Sequence, residues 1–149
     1  MSMVKGSCLC GEVQYEVDAP FLYAGYCHCS ECRKFSGSPF SAIGGVQREA
    51  FRLTRGDGKV GQYRKSQASL MHFCNACGSS LFVEKTQVGL LHVRLGTLDE
   101  SHGVRPQAHV HVASKASWFD IPNDGLPRFD GEAPGIAAAT RVSAAASAQ

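Results

Sequence analysis

The residues of this chain best equipped for chemistry are its seven cysteines, grouped as Cys8-x-Cys10, Cys27-x-Cys29-x-x-Cys32 and Cys74-x-x-Cys77. Thiolates one to three positions apart can face a single soft ion, so the spacing points to metal chelation. An odd number does not suit a secreted disulfide framework, and the opening MSMVKGSCLC is too short and polar for a secretory signal. A cytoplasmic, metal-binding protein is therefore expected. Plain buried cysteines or a redox dithiol are the competing readings.

Ligand counting divides the cysteines. Cys10 and Cys77 are each followed by glycine, Gly11 and Gly78, which lets the backbone turn left-handed and aim N–H groups at the sulfurs. The two outer runs together make a closed four-thiolate site, Cys8, Cys10, Cys74 and Cys77, suited to a structural zinc. Cys27, Cys29 and Cys32 remain. Three protein ligands and one open position are the arithmetic of a catalytic zinc, although a distant histidine could close the site instead. His28 lies between two ligands and is expected to face away, while sequence gives His72, His92, His109 and His111 no spatial place. Three thiolates on a divalent ion leave it anionic. Such an ion is a poor Lewis acid but suited to hold a substrate-borne thiol. Arg33 and Lys34 follow Cys32 directly and could offset that charge; the plainer reading is two solvated charges on a helix.

The elements that must position these groups read as short strands. EVQYEV (12–17), FSAIGGV (40–46), SLMHFC (69–74), SLFVEK (80–85), GLLHVRLG (89–96) and HVHVAS (109–114) are the candidates. Turn signals stand at 56–58, 99–103 and 122–125. One short helix is expected from Ser30 to about Phe35, with Ser30 as N-cap and Gly37 as its stop. His109 and His111 should share a strand face, Trp118 and Phe119 should pack the C-terminal segment on the sheet, and Ser79 and Ser80 should cap the second knuckle. Arg48, Arg52, Arg55, Arg64 and Lys65 form a basic stretch, either a solvated face or a seat for substrate carboxylates.

Composition bounds the rest. At 149 residues, 44% of them hydrophobic and 19% charged, the chain suits one domain with its own core. A net charge of +2 argues against a strong nucleic-acid contact, and no run approaches the roughly 20 apolar residues of a membrane span. From Gly131 on, an Ala/Ser-rich stretch without a hydrophobic face reads as a disordered tail over 131–149.

The joint pattern resembles the glutathione-dependent formaldehyde-activating (Gfa-like) family, which includes the centromere protein V group. The matching stretches are GSCLCGEVQYEV, CHCSECRKFSG, HFCNACGSSLF, the GTLDE turn and RPQAHVHVASKASWFDIPNDGLPRF, in the family's order across residues 5–129. The resemblance implies a mainly β, Mss4-like antiparallel fold over residues 1–130, with zinc knuckles and one or two short helices. It also implies a structural zinc on the outer cysteines and a looser, catalytic zinc on Cys27, Cys29 and Cys32 that engages the thiol of glutathione. The implied activity is that of a carbon–sulfur lyase resembling S-(hydroxymethyl)glutathione synthase, adding glutathione to formaldehyde. His109 stands where the family has a histidine after Arg-Pro, and with His111 could line the pocket. Two rival readings are a non-catalytic zinc scaffold or glutathione-binding module, and a redox enzyme on the related methionine sulfoxide reductase fold. The second lacks a spare cysteine once all seven are assigned.

Overall fold

Period-two burial builds the strands. In β1 (Met3–Ser7) and β2 (Gln14–Asp18) every second residue is buried, Val4 and Gly6 in the first and Tyr15 and Val17 in the second. The two pair antiparallel, and β5 (Phe51–Arg55) joins the far edge of β2 to complete a three-stranded sheet. This computed structural model describes residues 3–100 and 103–134.

A larger sheet holds the remaining strands in the order β10-β3-β4-β9-β8-β7-β6. They are β3 (Tyr23–Cys27), β4 (Ser41–Gln47), β6 (Val60–Ser66), β7 (Ser69–Cys74), β8 (Ser80–Lys85), β9 (Leu90–Arg94) and β10 (His109–Val110). Every pairing is antiparallel except that of β10 with β3. The expected mainly β, antiparallel fold with cysteine knuckles is the fold observed.

The two faces of the large sheet differ in chemistry, and β9 shows why. Leu91 and Val93 join Val4, Val13, Tyr15, Val17, Val46, Phe51 and Leu81 in the hydrophobic core between the sheets. Each of the valines and leucines among them contributes about 1.5–3 kcal/mol on burial. His92 and Arg94 alternate with them and so project to the opposite face. Direct cross-strand partners share a face, and Arg94 lies opposite Ile43, His92 opposite Val83, and Val83 opposite Met71. The site is built on that second face.

One helix, α1 (Ser30–Ser36), follows β3. Its N-cap is Cys29 and not Ser30: the Cys29 sulfur accepts the N–H of Cys32 at 3.3 Å. Gly37 ends the helix in a left-handed conformation, as expected. The anticipated strand over 109–114 is shorter. Only His109 and Val110 pair, His111 turns to φ 55°, and Val112–Ser114 form a 3-10 turn, so His109 and His111 do not share a strand face. Strands β1, β3, β5 and β6 escape the pattern reading because glycine interrupts β1 and β3 while basic residues dominate the outer positions of β5 and β6. Trp118 is 70% exposed, contrary to expectation, and Phe119 alone of the pair packs inward, against Phe40 and His28.

The stretch assigned to a tail begins folded. Gly131 accepts a hydrogen bond from the N–H of His111 at 2.9 Å, and Ala133 is buried; the part beyond residue 134 lies outside the described residues. Among the described residues no helix is long and apolar enough to cross a membrane.

Candidate functional site

Chain segments more than sixty residues apart meet at the outer cysteines. The sulfurs of Cys8, Cys10, Cys74 and Cys77 all lie within 4.8 Å of one another. Cys8 and Cys74 are buried, the Cys8 and Cys10 sulfurs are 3.6 Å apart, and those of Cys10 and Cys74 are 3.8 Å apart. Gly11 and Gly78 take φ 79° and 80°, the left-handed turns the knuckles require. Backbone N–H groups then reach the sulfurs, Val13 to Cys8 at 3.2 Å and Cys77 to Cys74 at 3.5 Å. Ser79 ties the knuckles together: its hydroxyl accepts the N–H of Leu9 at 3.0 Å and lies 3.2 Å from the Cys77 sulfur. Hydrogen bonds from the Ser79 hydroxyl and backbone hold the Cys77 thiol down at about 5. Such a donor set suits a soft ion held as thiolates.

The middle cysteines form a second group within the same 4.8 Å limit. Cys27 ends β3, Cys29 caps α1, and Cys32 sits in its first turn. Crowding separates their acidities. Hydrogen bonds from Cys27 and Cys32, aided by backbone N–H groups, drive the Cys29 thiol far down, while the neighbouring sulfurs and burial drive Cys27 up.

These sulfurs open onto a cavity of ≈ 280 Å³. Its apolar wall is Ile43, Met71, Val83 and Val110, and its cations are Lys65, Lys85 and Arg94. Arg94 is 7% exposed, stacks 5.2 Å over the Phe35 ring, and leaves its buried Nε without a hydrogen-bond partner among the described residues. Burial lowers the Arg94 pKa, and the charges of Cys32, Cys27 and Cys29 oppose that shift. Lys85 donates to the Ser69 hydroxyl at 3.2 Å, its pKa lowered by burial and then by the charge of Lys65. Lys65 is ion-paired with Glu31 of α1. Glu31, Ser69, His92, His111 and Glu132 complete the lining.

A family profile described as glutathione-dependent formaldehyde-activating enzyme matches residues 3–114 of this chain. The chain belongs to this family. A relative from Halomonas elongata, provisionally named a glutathione-dependent formaldehyde-activating enzyme, is 30% identical over 80% of this chain and 81% of its own. One from Penicillium rubens with the same provisional name is 32% identical over 72% of this chain and 58% of its own. An uncharacterised lyase of Schizosaccharomyces pombe is 31% identical over 58% of this chain and 61% of its own. A crystal structure of a Rhodobacter sphaeroides protein shares the fold, with a TM-score of 0.56 at 23% identity, covering 83% of this chain and 98% of that one.

In this member of the glutathione-dependent formaldehyde-activating family, the expected 4 + 3 grouping of cysteines is the grouping the fold brings together. The other anticipated residues lie elsewhere. Neither Arg33 nor Lys34 lines the cavity; Lys34 faces a separate groove with Phe35, Ser36 and Ser80. Successive helical residues are turned by about 100°, so neighbours of Cys32 in sequence point away from its sulfur. His109 is 2% exposed and braces the loop from behind. Its Nε2 donates to Asp124 Oδ2 at 2.7 Å, which leaves Nδ1 to accept from His28 Nε2 at 2.9 Å. His28 is fully buried, and burial pushes it down to about 4. Of the basic stretch only Lys65 reaches the cavity; Arg48 pairs with Glu84, and Arg52 with Glu16 and Asp18. Arg94 and Lys85 were missed, and His92 was named without a place. The signal for His92 and Arg94 was a polar side chain at every second position of an otherwise apolar strand, LLHVR; Lys85, directly after Glu84 at the end of SLFVEK, carried none.

Proposed function

We propose that the cavity above Cys27, Cys29 and Cys32 activates the thiol of glutathione for addition to a small aldehyde such as formaldehyde, a carbon–sulfur lyase reaction run in either direction. The observation that carries this reading is the opening of three clustered sulfurs onto a cavity walled by three cations. The donor chemistry fits zinc at both groups: four thiolates for a closed structural ion, and three for an ion with one position left for a substrate sulfur. Held by Cys27, Cys29 and Cys32, zinc would supply a lowered substrate thiol pKa and a fixed place for its sulfur.

The protein's own residues do the rest. Arg94 is charged at any working pH and lies against the sulfurs, so it offsets the anionic cluster and the incoming thiolate. Lys65 and Lys85 stand at the same cavity and suit the carboxylates of a glutathione-like thiol. Ile43, Met71, Val83 and Val110 exclude water around the sulfur, which strengthens these charge interactions. In the reaction the thiol proton leaves to water, the sulfur bonds to the carbonyl carbon, and the aldehyde oxygen takes a proton from water. The gain lies mainly in proximity and a larger thiolate fraction.

Exchange spectroscopy by NMR on a glutathione–formaldehyde mixture tests the reading. The zinc-loaded protein is expected to accelerate interconversion of glutathione and its hydroxymethyl adduct above the spontaneous rate. Cys29→Ser is expected to abolish the acceleration while leaving the fold intact. A wild-type protein with full metal content and no acceleration would end the proposal.

A further inference from the structure

Three strands carry one row of residues across the site face: Tyr23 on β3 lies opposite Gly45 on β4, and Gly45 lies opposite His92 on β9. The middle residue has to be glycine. A Cβ at Gly45 would stand 2.2 Å from the Tyr23 ring, so the ring lies flat across the β4 backbone. The bare strand lets Tyr23, itself 6% exposed, reach one strand beyond its neighbour. There its hydroxyl meets His92 Nε2 at 2.6 Å, with the rings edge to face at 5.5 Å.

That contact fixes the imidazole. A phenol is a much stronger acid than a neutral imidazole N–H, so Tyr23 donates and Nε2 accepts. The ring proton is then on Nδ1, the nitrogen left for a ligand in the cavity that His92 lines with the three cysteines. Burial, with Lys85 and Arg94 nearby, pushes the imidazolium down to about 3, and burial raises the Tyr23 hydroxyl. The pair therefore stays neutral, a hydrogen-bond donor of fixed direction that needs no proton transfer.

We infer that His92 is a catalytic residue whose Nδ1–H holds the aldehyde oxygen during thiol addition, with Tyr23 and Gly45 as its positioning residues. This rests on the function proposed above. As the sulfur–carbon bond forms, the carbonyl π electrons move onto oxygen, and a donor aimed there stabilises the transition state more than the ground state. The oxygen finally takes its proton from water, so His92 ends each turnover unchanged.

The test joins a spectrum to a rate. Nitrogen-15 NMR of the labelled, metal-loaded wild-type protein should show His92 protonated at Nδ1, and Tyr23→Phe should move the proton towards Nε2. His92→Leu should lower turnover about 100-fold with glutathione affinity held within about threefold. His92→Asn, whose amide nitrogen can stand in for Nδ1, should recover about tenfold of that loss. Gly45→Ala should reproduce the Tyr23→Phe tautomer change by displacing the ring. A wild-type Nε2–H tautomer, or a folded His92→Leu protein turning over at the wild-type rate, would overturn the role of His92 alone. A wild-type protein that binds metal yet does not turn over would overturn the functional reading, and the His92 role with it.

Discussion

Cys74→Ser is expected to leave little folded protein, whereas Cys29→Ser should melt within a few degrees of wild type. Cys74 is fully buried at the end of β7 and closes a group whose other members reach back to residue 8. Sequence-distant segments joined at a metal gain the binding free energy as folding free energy, about 10–16 kcal/mol for zinc in finger peptides. A domain of this size has about 5–15 kcal/mol of net stability, so losing that site outweighs the margin. The three middle cysteines instead sit within one loop and helix turn, and their site closes no long-range connection. Thermal melts of the two variants, purified identically, give the comparison. Equal destabilisation would contradict the division into structural and functional groups.

Arg94→Met is expected to do the opposite of a core mutation: to keep or raise the melting temperature while weakening glutathione binding by about 10- to 100-fold. A guanidinium at 7% exposure, its Nε unpartnered among the described residues, costs folding free energy that methionine of similar length would not. Nothing in the core between the sheets needs that charge. The cavity does, because removing it leaves the anionic sulfurs and a bound thiolate without their nearest buried cation. Calorimetric titration with glutathione beside a melt separates the two effects. A variant that loses stability and keeps its glutathione affinity would show Arg94 to be a structural cation.

The cysteine partition was legible because it is local: spacing and the glycines after Cys10 and Cys77 decide it before any strand is paired. The strands SLMHFC and SLFVEK were legible for the same reason, since one apolar run leads into the second knuckle and the other leads out of it. What surrounds the middle cysteines was not. Lys65, Lys85, His92 and Arg94 come from β6, β8 and β9, and they meet Cys27 only because the sheet order is β3-β4-β9-β8-β7-β6. Sequence adjacency favoured Arg33 and Lys34, and the helix turns both away. His109 carried the right chemistry on the wrong face, bound to Asp124 and His28 behind the loop. The row from Tyr23 over Gly45 to His92 required cross-strand register, which no single strand's sequence contains.

On the function proposed above, the middle cysteines hold an ion able to take a substrate thiol. Native mass spectrometry of freshly purified protein, before and after adding glutathione, reads this out. The expected spectrum shows one tightly held zinc, a second and looser zinc, and a glutathione adduct that disappears with the second zinc in Cys29→Ser. Two zincs held equally tightly, with no adduct at any glutathione concentration, would contradict it and leave both cysteine groups as structural sites.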